Sequence, residues 1–255
     1  MKKFRGIFIK NDYEIGLLRE ANQIVALILD ELEKLIKPGA FTMELEETAN
    51  ELCADYKVKP AFKGYQGFPY TLCCSVNDVV VHGFPTLERL KSGDILSIDM
   101  GVQHRGFFGD SAKTFAVGEI SPEARMLMQV TLEALHKGIE QARPGNDLYE
   151  ISAAIENHAK SHGCSIIKRF VGHGIGASLH EKPELPNFVP SRMSGTPLKK
   201  GMVLAIEPMF SLGSDQVQIM PDNWTARTKD GSLSAHFEHT VAVTKDGPDI
   251  LSSLE

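Results

Sequence analysis

KSGDILSID, residues 91–99, returns 108 residues later as KKGMVLAIE, residues 199–207. Both read K-x-G-x-x-L-x-I-acid: a glycine turn, a short run of strand formers, and a carboxylate where the run ends. The elements ahead of each copy repeat as well. Asn11 and Glu14 have the spacing of a capping box, and Ile15, Leu18, Val25, Ile28, Leu32 and Leu35 follow at helical spacing until Lys37-Pro38-Gly39. Thr42 caps a second helix through Leu45, Ala49, Leu52 and Tyr56. In the later copy Ser121-Pro122 opens a helix in cap-then-proline order and Arg143-Pro144-Gly145 ends it. Asp147 and Glu150 then box the start of another helix, which Gly163 closes. The two Pro-Gly stops lie 106 residues apart. The pattern predicts a duplicated helix-helix-strand unit, roughly 11–118 and 121–245, inside one compact domain of residues 1–255. Asp99 is then the counterpart of Glu207. VVVHG (79–83) and FVGHG (170–174) echo each other at a shorter offset, which pairs His82 with His173.

Composition narrows the function classes. The 255 residues are 42% hydrophobic and 24% charged, an ordinary globular balance with ample length for a core. The formal net charge is -6 and no basic cluster exceeds a pair, which argues against a nucleic-acid footprint. Cys53, Cys73, Cys74 and Cys164 include no C-x-x-C, so reduced thiols of a cytoplasmic protein are expected. The basic start is followed by an apolar run that stops at Ile9, so a secretory leader is not expected. No apolar run approaches the ~20 residues of a membrane span.

The chemistry-bearing residues cluster after the strands. SIDMGVQHRGFFGDSAKTF, residues 97–115, reads as a β-hairpin turning near His104-Arg105-Gly106. With His104-Arg105 as a two-residue loop, Asp99 faces Asp110 directly across the ladder. A three-residue loop with Gly106 left-handed shifts the register by one and needs a bulge to restore a shared face. A third reading sends one aspartate to solvent, and the hairpin by itself leaves the choice open. Glu207 precedes Pro208 amid apolar neighbours, where a charge needs compensation. Glu238, read alone, is an ordinary solvent-facing acid opposite Phe237 and His239. FVGHGIGASLHEKP, residues 170–183, adds His173 and His180 among three glycines, and GHG by itself reads as a loop with two ordinary surface histidines. Four carboxylates and an imidazole suit manganese, iron or cobalt better than a sulfur-rich site would. HExxH and G-x-S-x-G are absent, and GHGIG lacks the third glycine and the βαβ setting of a dinucleotide loop.

Taken in order, VHGFP, SIDMGVQHRGFFGDSAKTF, VGHGIGASLHEKP, AIEPMF and SLSAHFEHT resemble type I methionine aminopeptidases of the bacterial kind, over about residues 6–251. The resemblance implies an α/β (α+β) pita-bread fold: two pseudo-twofold-related halves and an antiparallel sheet covered by helices. It implies two divalent cations (cobalt, manganese, iron, zinc or nickel) held by Asp99, Asp110, His173, Glu207 and Glu238. Asp110 and Glu238 would bridge the pair, Asp99 would chelate one ion, and His173 with Glu207 would bind the other. Such centres lower the pKa of a bound water to about 7. Glu207 would shuttle a proton, His180 donate to the developing oxyanion, and His82 contact the scissile amide nitrogen. Tyr65, Phe68, Cys73, Leu179 and Trp224 would line a methionine pocket. Phe62, Phe68 and Leu179 depart from the commoner bacterial residues, which are a cysteine, a tyrosine and a phenylalanine. The implied substrates are N-termini of nascent polypeptides with a small second residue. The implied setting is the cytoplasm, for a monomer in transient ribosome contact, without nucleic-acid specificity or membrane attachment.

Two alternatives frame these expectations. Proline-directed exopeptidases of the same fold usually carry an extra N-terminal domain, and the first helix here begins at about residue 11 with no room for one. A non-catalytic binding module of this fold would typically have lost ligands, whereas all five positions are filled.

Overall fold

The computed structural model describes residues 2–191 and 195–254. Helix starts follow their local chemistry. Helix α1 (Asp12–Glu33) opens on the expected box: Asn11 Oδ1 accepts from the Glu14 amide at 2.9 Å, and Glu14 accepts from the Asn11 amide at 2.8 Å. Its stripe of Ile15, Leu18, Val25, Ile28 and Leu32 is buried, but the helix ends before Leu35, which is 40% exposed. Helix α2 (Thr42–Asp55) is capped at Phe41 rather than Thr42, with Glu44 accepting the Phe41 amide. The Thr42 hydroxyl is turned instead to the Thr86 amide, 2.7 Å away, tying the helix to a distant loop. Tyr56 lies just beyond that helix. In α3 (Pro122–Glu140) Ser121 Oγ accepts from the Ala124 amide, and in α4 (Leu148–Ser161) Asp147 and Glu150 form their box.

Strands fill the intervals. β1 (Lys2–Phe4) and β2 (Ile7–Ile9) precede α1. Between α2 and α3 run β3 (Lys59–Pro60), β4 (Leu72–Val76), β5 (Val79–Val81), β6 (Ile95–His104) and β7 (Phe107–Ala116). After α4 come β8 (Ser165–Ile166), β9 (Gly172–Gly174), β10 (Glu181–Leu185), β11 (Val203–Ile206) and β12 (Met209–Ser211). Last are β13 (Val217–Ile219), β14 (Ala226–Thr228), β15 (Ser234–His236), β16 (Glu238–Thr244) and β17 (Gly247–Ile250).

The main sheet is antiparallel in the order β10-β9-β11-β16-β7-β6-β3, with β4 also on β6 and β17 on β16. Its centre reads β9-β11-β16 on one side and β4-β6-β7 on the other. The 108-residue echo carries Asp99 onto Glu207. Asp99 pairs with Ala112, while the β11–β16 register, Ile206 opposite His239, sets Glu207 opposite Glu238 when continued by one residue. Ala112 and Glu238 are therefore equivalents, and they pair with each other where β7 meets β16. A twofold axis through that pair requires this. The result is the pita-bread arrangement of two related halves.

Two sequence expectations change. The hairpin turn is Arg105-Gly106, with φ of +50° and +86°, because His104 stays in the ladder opposite Phe107. Two positive φ values match the twist of the strands, and Gly106 adopts one freely. Asp99 is thus diagonal to Asp110, whose direct partner is Gly101, and the two acids share a face without any bulge. Second, β5 is not the equivalent of β9. β4 holds that place, and β5 pairs in a separate sheet with β14 and β13, so His82 and His173 are not symmetry mates.

The register also assigns the two faces. Met100 pairs with Ser111, Ser111 with His239, and Val241, on the same face as His239, pairs with Leu204. That face is the helical one: Leu96, Ile98 and Met100 pack with Val25, Ile28 and Leu32 of α1, and Leu204, Ile206 and Val241 with Leu127, Leu135 and Ile151 of α3 and α4. The other face is left for chemistry.

Candidate active site and metal centre

Across that free face runs a single row. Cys73 pairs with Asp99, Asp99 with Ala112, Ala112 with Glu238, and Glu207 stands opposite Glu238. His173 pairs with Ala205, two residues from Glu207, and Asp110 lies two residues from Ala112, so period-2 alternation puts both on the same face. Five donors, from β6, β7, β9, β16 and the end of β11, thus point to one place, with Cys73 of β4 beside them. Ala112, in the middle of the row, presents only a methyl group.

The residues meet in a cavity of about 270 Å³. It is lined by Asp99, Asp110, His173, Glu207 and Glu238, by His82 and His180, and by Tyr65, Phe68, Cys73, Leu179 and Trp224. Phe62 lines it too. Every site residue expected from the sequence is therefore brought to one cavity, small enough to admit a chain end rather than a folded surface. Donor atoms of Asp110, His173 and Glu238 all lie within 4.8 Å of one another. Glu238 is buried at 3% exposure, contrary to its reading in isolation, because β16 begins on it and β7 covers that edge.

Electrostatics point to a cation. Burial pushes Asp99 up to about 7. Burial, and then the charges of neighbouring acids, holds Asp110, Glu207 and Glu238 well above the usual carboxylate range. Protonation alone does not satisfy the group, since a neutral carboxyl needs an acceptor for its O–H. Asp99 Oδ1, Asp110 Oδ1 and Glu238 Oε1 are buried with no hydrogen-bond partner. His173 agrees: its Nδ1 faces the Gly174 carbonyl at 2.9 Å and must donate to it. Nε2 is then a lone pair aimed at Glu207 Oε1, 3.5 Å away, and Asp110 Oδ2, 3.8 Å away. Burial and His180 lower the His173 pKa to about 3, keeping it neutral. Buried acceptors facing acceptors fit a hard or borderline dication.

The other two histidines of the cavity, His180 and His82, are held differently. The Tyr65 hydroxyl lies 2.8 Å from His180 Nδ1, and the His180 and His173 rings are 4.3 Å apart between centroids. His82 has φ +59°, a backbone state that non-glycine residues seldom adopt, and its ring sits edge-on to Phe170 and Trp224. Burial lowers its pKa to about 4. Phe68 makes edge contacts with Trp224 at 5.1 Å and Phe84 at 5.5 Å, giving the cavity an aromatic wall. Leu179 is 2% exposed and belongs both to this wall and to a core cluster with Ile15, Leu18 and Val203.

The glycines of FVGHGIG have another reason than closeness to the metal centre. A Cβ at Gly172 would strike the Ala205 carbonyl of β11, and one at Gly174 the Lys182 carbonyl of β10. At Gly176 it would meet the carboxylate of Glu181 and the stem of Lys10. Lys10 Nζ and Glu181 Oε2 form a buried ion pair at 2.7 Å, and Glu181 also accepts from the Ser178 amide. That pair anchors the loop carrying His180.

Four neighbours were not read from the sequence. Gln66 lines the cavity, with φ +50°. His236 Nε2, buried and unpartnered, lies 3.9 Å from Glu207 Oε2. Asn187 donates to the Glu207 carbonyl at 3.0 Å, and Phe170 supports His82. Only His236 left a signal: it stands two residues from Glu238, hence on the same face of an extended chain.

Comparison with known proteins agrees with this geometry. The profile of metallopeptidase family M24 matches residues 16–245. Methionine aminopeptidase 1 of Bacillus subtilis (strain 168) is 48% identical over 248 residues, covering 97% of this chain and 100% of that relative. The crystal structure of methionine aminopeptidase from Thermotoga maritima superposes with a TM-score of 0.94 at 44% identity, over 97% of this chain and 100% of that one. Prolidase from Pyrococcus furiosus shares the fold alone, at 24% identity and a TM-score of 0.79, this chain spanning 66% of its length. The chain belongs to metallopeptidase family M24, among its methionine aminopeptidases.

Proposed function

We propose that the cavity removes the N-terminal methionine from nascent polypeptides, preferring a small second residue, with two divalent cations held by Asp99, Asp110, His173, Glu207 and Glu238. When bound, the ions supply Lewis-acid polarisation and an activated water. The single observation that carries the reading is the convergence of these five donors in one buried cavity, with carboxylate oxygens left unpartnered.

The protein's own groups do the rest. Glu207 takes the proton of the attacking water and returns it to the leaving amine. With the Tyr65 hydroxyl, 2.8 Å from His180 Nδ1, acting as donor to it, His180 Nε2 carries the proton and donates it to the developing oxyanion. His82, neutral and fixed between Phe170 and Trp224, contacts the scissile amide nitrogen. Tyr65, Phe68, Cys73, Leu179 and Trp224 receive the methionine side chain. Their apolar and aromatic surfaces suit a thioether, and burial keeps the Cys73 thiol protonated.

The chain further reads as one catalytic domain with a duplicated unit over 11–118 and 121–245, supported by the matched sheet order. It acts as a cytoplasmic monomer meeting its substrates near the ribosome. Four buried free cysteines suit that compartment, and no described helix is long and apolar enough to cross a membrane. Metal analysis combined with release of methionine from a Met-Ala-Ser peptide tests the central reading. Two equivalents of metal and methionine release are expected. Preferential cleavage of an Xaa-Pro peptide would replace it with a proline-directed peptidase, and a metal-free inactive protein with a binding module.

A further inference from the structure

A second group of metal-ligating side chains lies on the α3–α4 pair and shares no residue with the catalytic cavity. Glu133 comes from α3, and His158 and His162 stand four residues apart at the end of α4, hence on one side of that helix. One donor atom from each lies within 4.8 Å of the other two.

Two of the three donors are held from behind. The Glu133 carboxylate accepts from Gln129 Nε2 through Oε1 at 2.9 Å, leaving Oε2 free for the cluster. His162 Nδ1 faces the His158 carbonyl at 2.9 Å, so it must donate there, and Nε2 keeps its lone pair. His158 Nε2 is buried and lies 3.1 Å from Glu133 Oε2, yet it is too misaligned to be hydrogen-bonded and counts among the unpartnered buried atoms. An ordinary His–Glu hydrogen bond would have satisfied that nitrogen. The rings of His158 and His162 are neighbours, their centroids 4.4 Å apart and their planes inclined by 49°. Lys137, one turn along α3, is a nearby positive charge that opposes protonation of His158.

We propose that Glu133, His158 and His162 bind one divalent transition ion, zinc in the first place, which ties α3 to α4. Two imidazoles and one carboxylate form a borderline donor set suited to zinc, with water filling the fourth tetrahedral position. Gln129 and the His158 carbonyl are the outer partners that orient the ligands. His162 is exposed, so its replacement leaves the core intact.

The test counts zinc by equilibrium dialysis on chelator-stripped protein. The His162→Ala protein is expected to bind one zinc fewer per chain than the parent, with methionine release unchanged and a smaller rise of Tm on zinc addition. Gln129→Ala is expected to weaken the same ion about tenfold. An equal zinc count in parent and His162→Ala protein overturns the proposal. So does a lost equivalent that takes methionine release with it, since the missing ion then belongs to the catalytic cavity.

Discussion

The two halves of the sheet differ most where each turns back on itself. In the first, β6 and β7 run ten residues each and meet through Arg105-Gly106. In the second, β11 stops at Ile206, and the chain travels through residues 207–237 before β16 begins. The closed hairpin sets Asp99 and Asp110 on one rigid ladder. The opened one presents Glu207 and Glu238 at its two ends and uses the excursion for β12 to β15 and for Trp224, which walls the cavity. Symmetry of the scaffold stops short of the donors. Ala112 is matched by Glu238, and counting on by the same offset places His236 where the first half has Asp110. The repeat made a face, and unlike side chains at matched places made it a centre.

The largest effect should come from Asp110→Ala, with bound metal lost and turnover reduced at least about a thousandfold, several kcal/mol of transition-state stabilisation. Elemental analysis and methionine release check it together; turnover surviving in full would remove Asp110 from the centre. His180→Ala, on the loop pinned by Lys10 and Glu181, should keep its metal and lose about 100- to 1,000-fold in turnover. Loss of the metal instead would make His180 a ligand. Ala112→Leu removes no donor but fills the middle of the row. Overpacking of about 1–3 kcal/mol should appear as metal binding weakened about 10- to 100-fold, measured by competition with a chelating dye. Unchanged affinity would show that the row has room to spare.

Removing the metal should make stability depend on pH. Burial raises Asp99 to about 7 and lifts Asp110, Glu207 and Glu238 well above the ordinary value. Between about pH 4 and that level the folded metal-free chain holds protons that the unfolded chain has released. Their stabilisation is fully present below about pH 4 and is lost as pH rises through the folded values, for Asp99 through about 7. Tm of chelator-treated protein should fall across this window while that of metal-loaded protein holds; parallel curves would contradict the assignment. The smallest effect is expected at His236→Gln, the match of Asp110: metal retained and turnover down less than about tenfold. A loss as deep as that of Asp110→Ala would erase the contrast between the halves.

Much of the centre was legible before folding, but unevenly. Asp99 and Glu207 announced each other because the echo fell on strands ending in acids. Asp110 needed the ladder, since a two-residue turn at Arg105-Gly106 and one at His104-Arg105 look alike in a string of letters. Glu238 looked like a surface residue because nothing local says that β7 lies along the first residue of β16. The echo between His82 and His173 was a likeness of letters only, for β4 occupies the place that β5 was expected to hold. The family likeness, carried by five motifs in order, supplied the roles that periodicity could not.

The caps at Asn11, Ser121 and Asp147 and the twice-written strand were determined by the sequence itself, because each depends on hydrogen bonds and φ preferences within a few residues. Tertiary structure alone decided the register, the identity of the free face, the place of Ala112 in the row and the neighbours of Gly174 and Gly176. A slip of one residue in any ladder sends a carboxylate to the helical side. That choice belongs to the whole packed sheet, where the main apolar stripes of the helices cover one face and leave the acids the other.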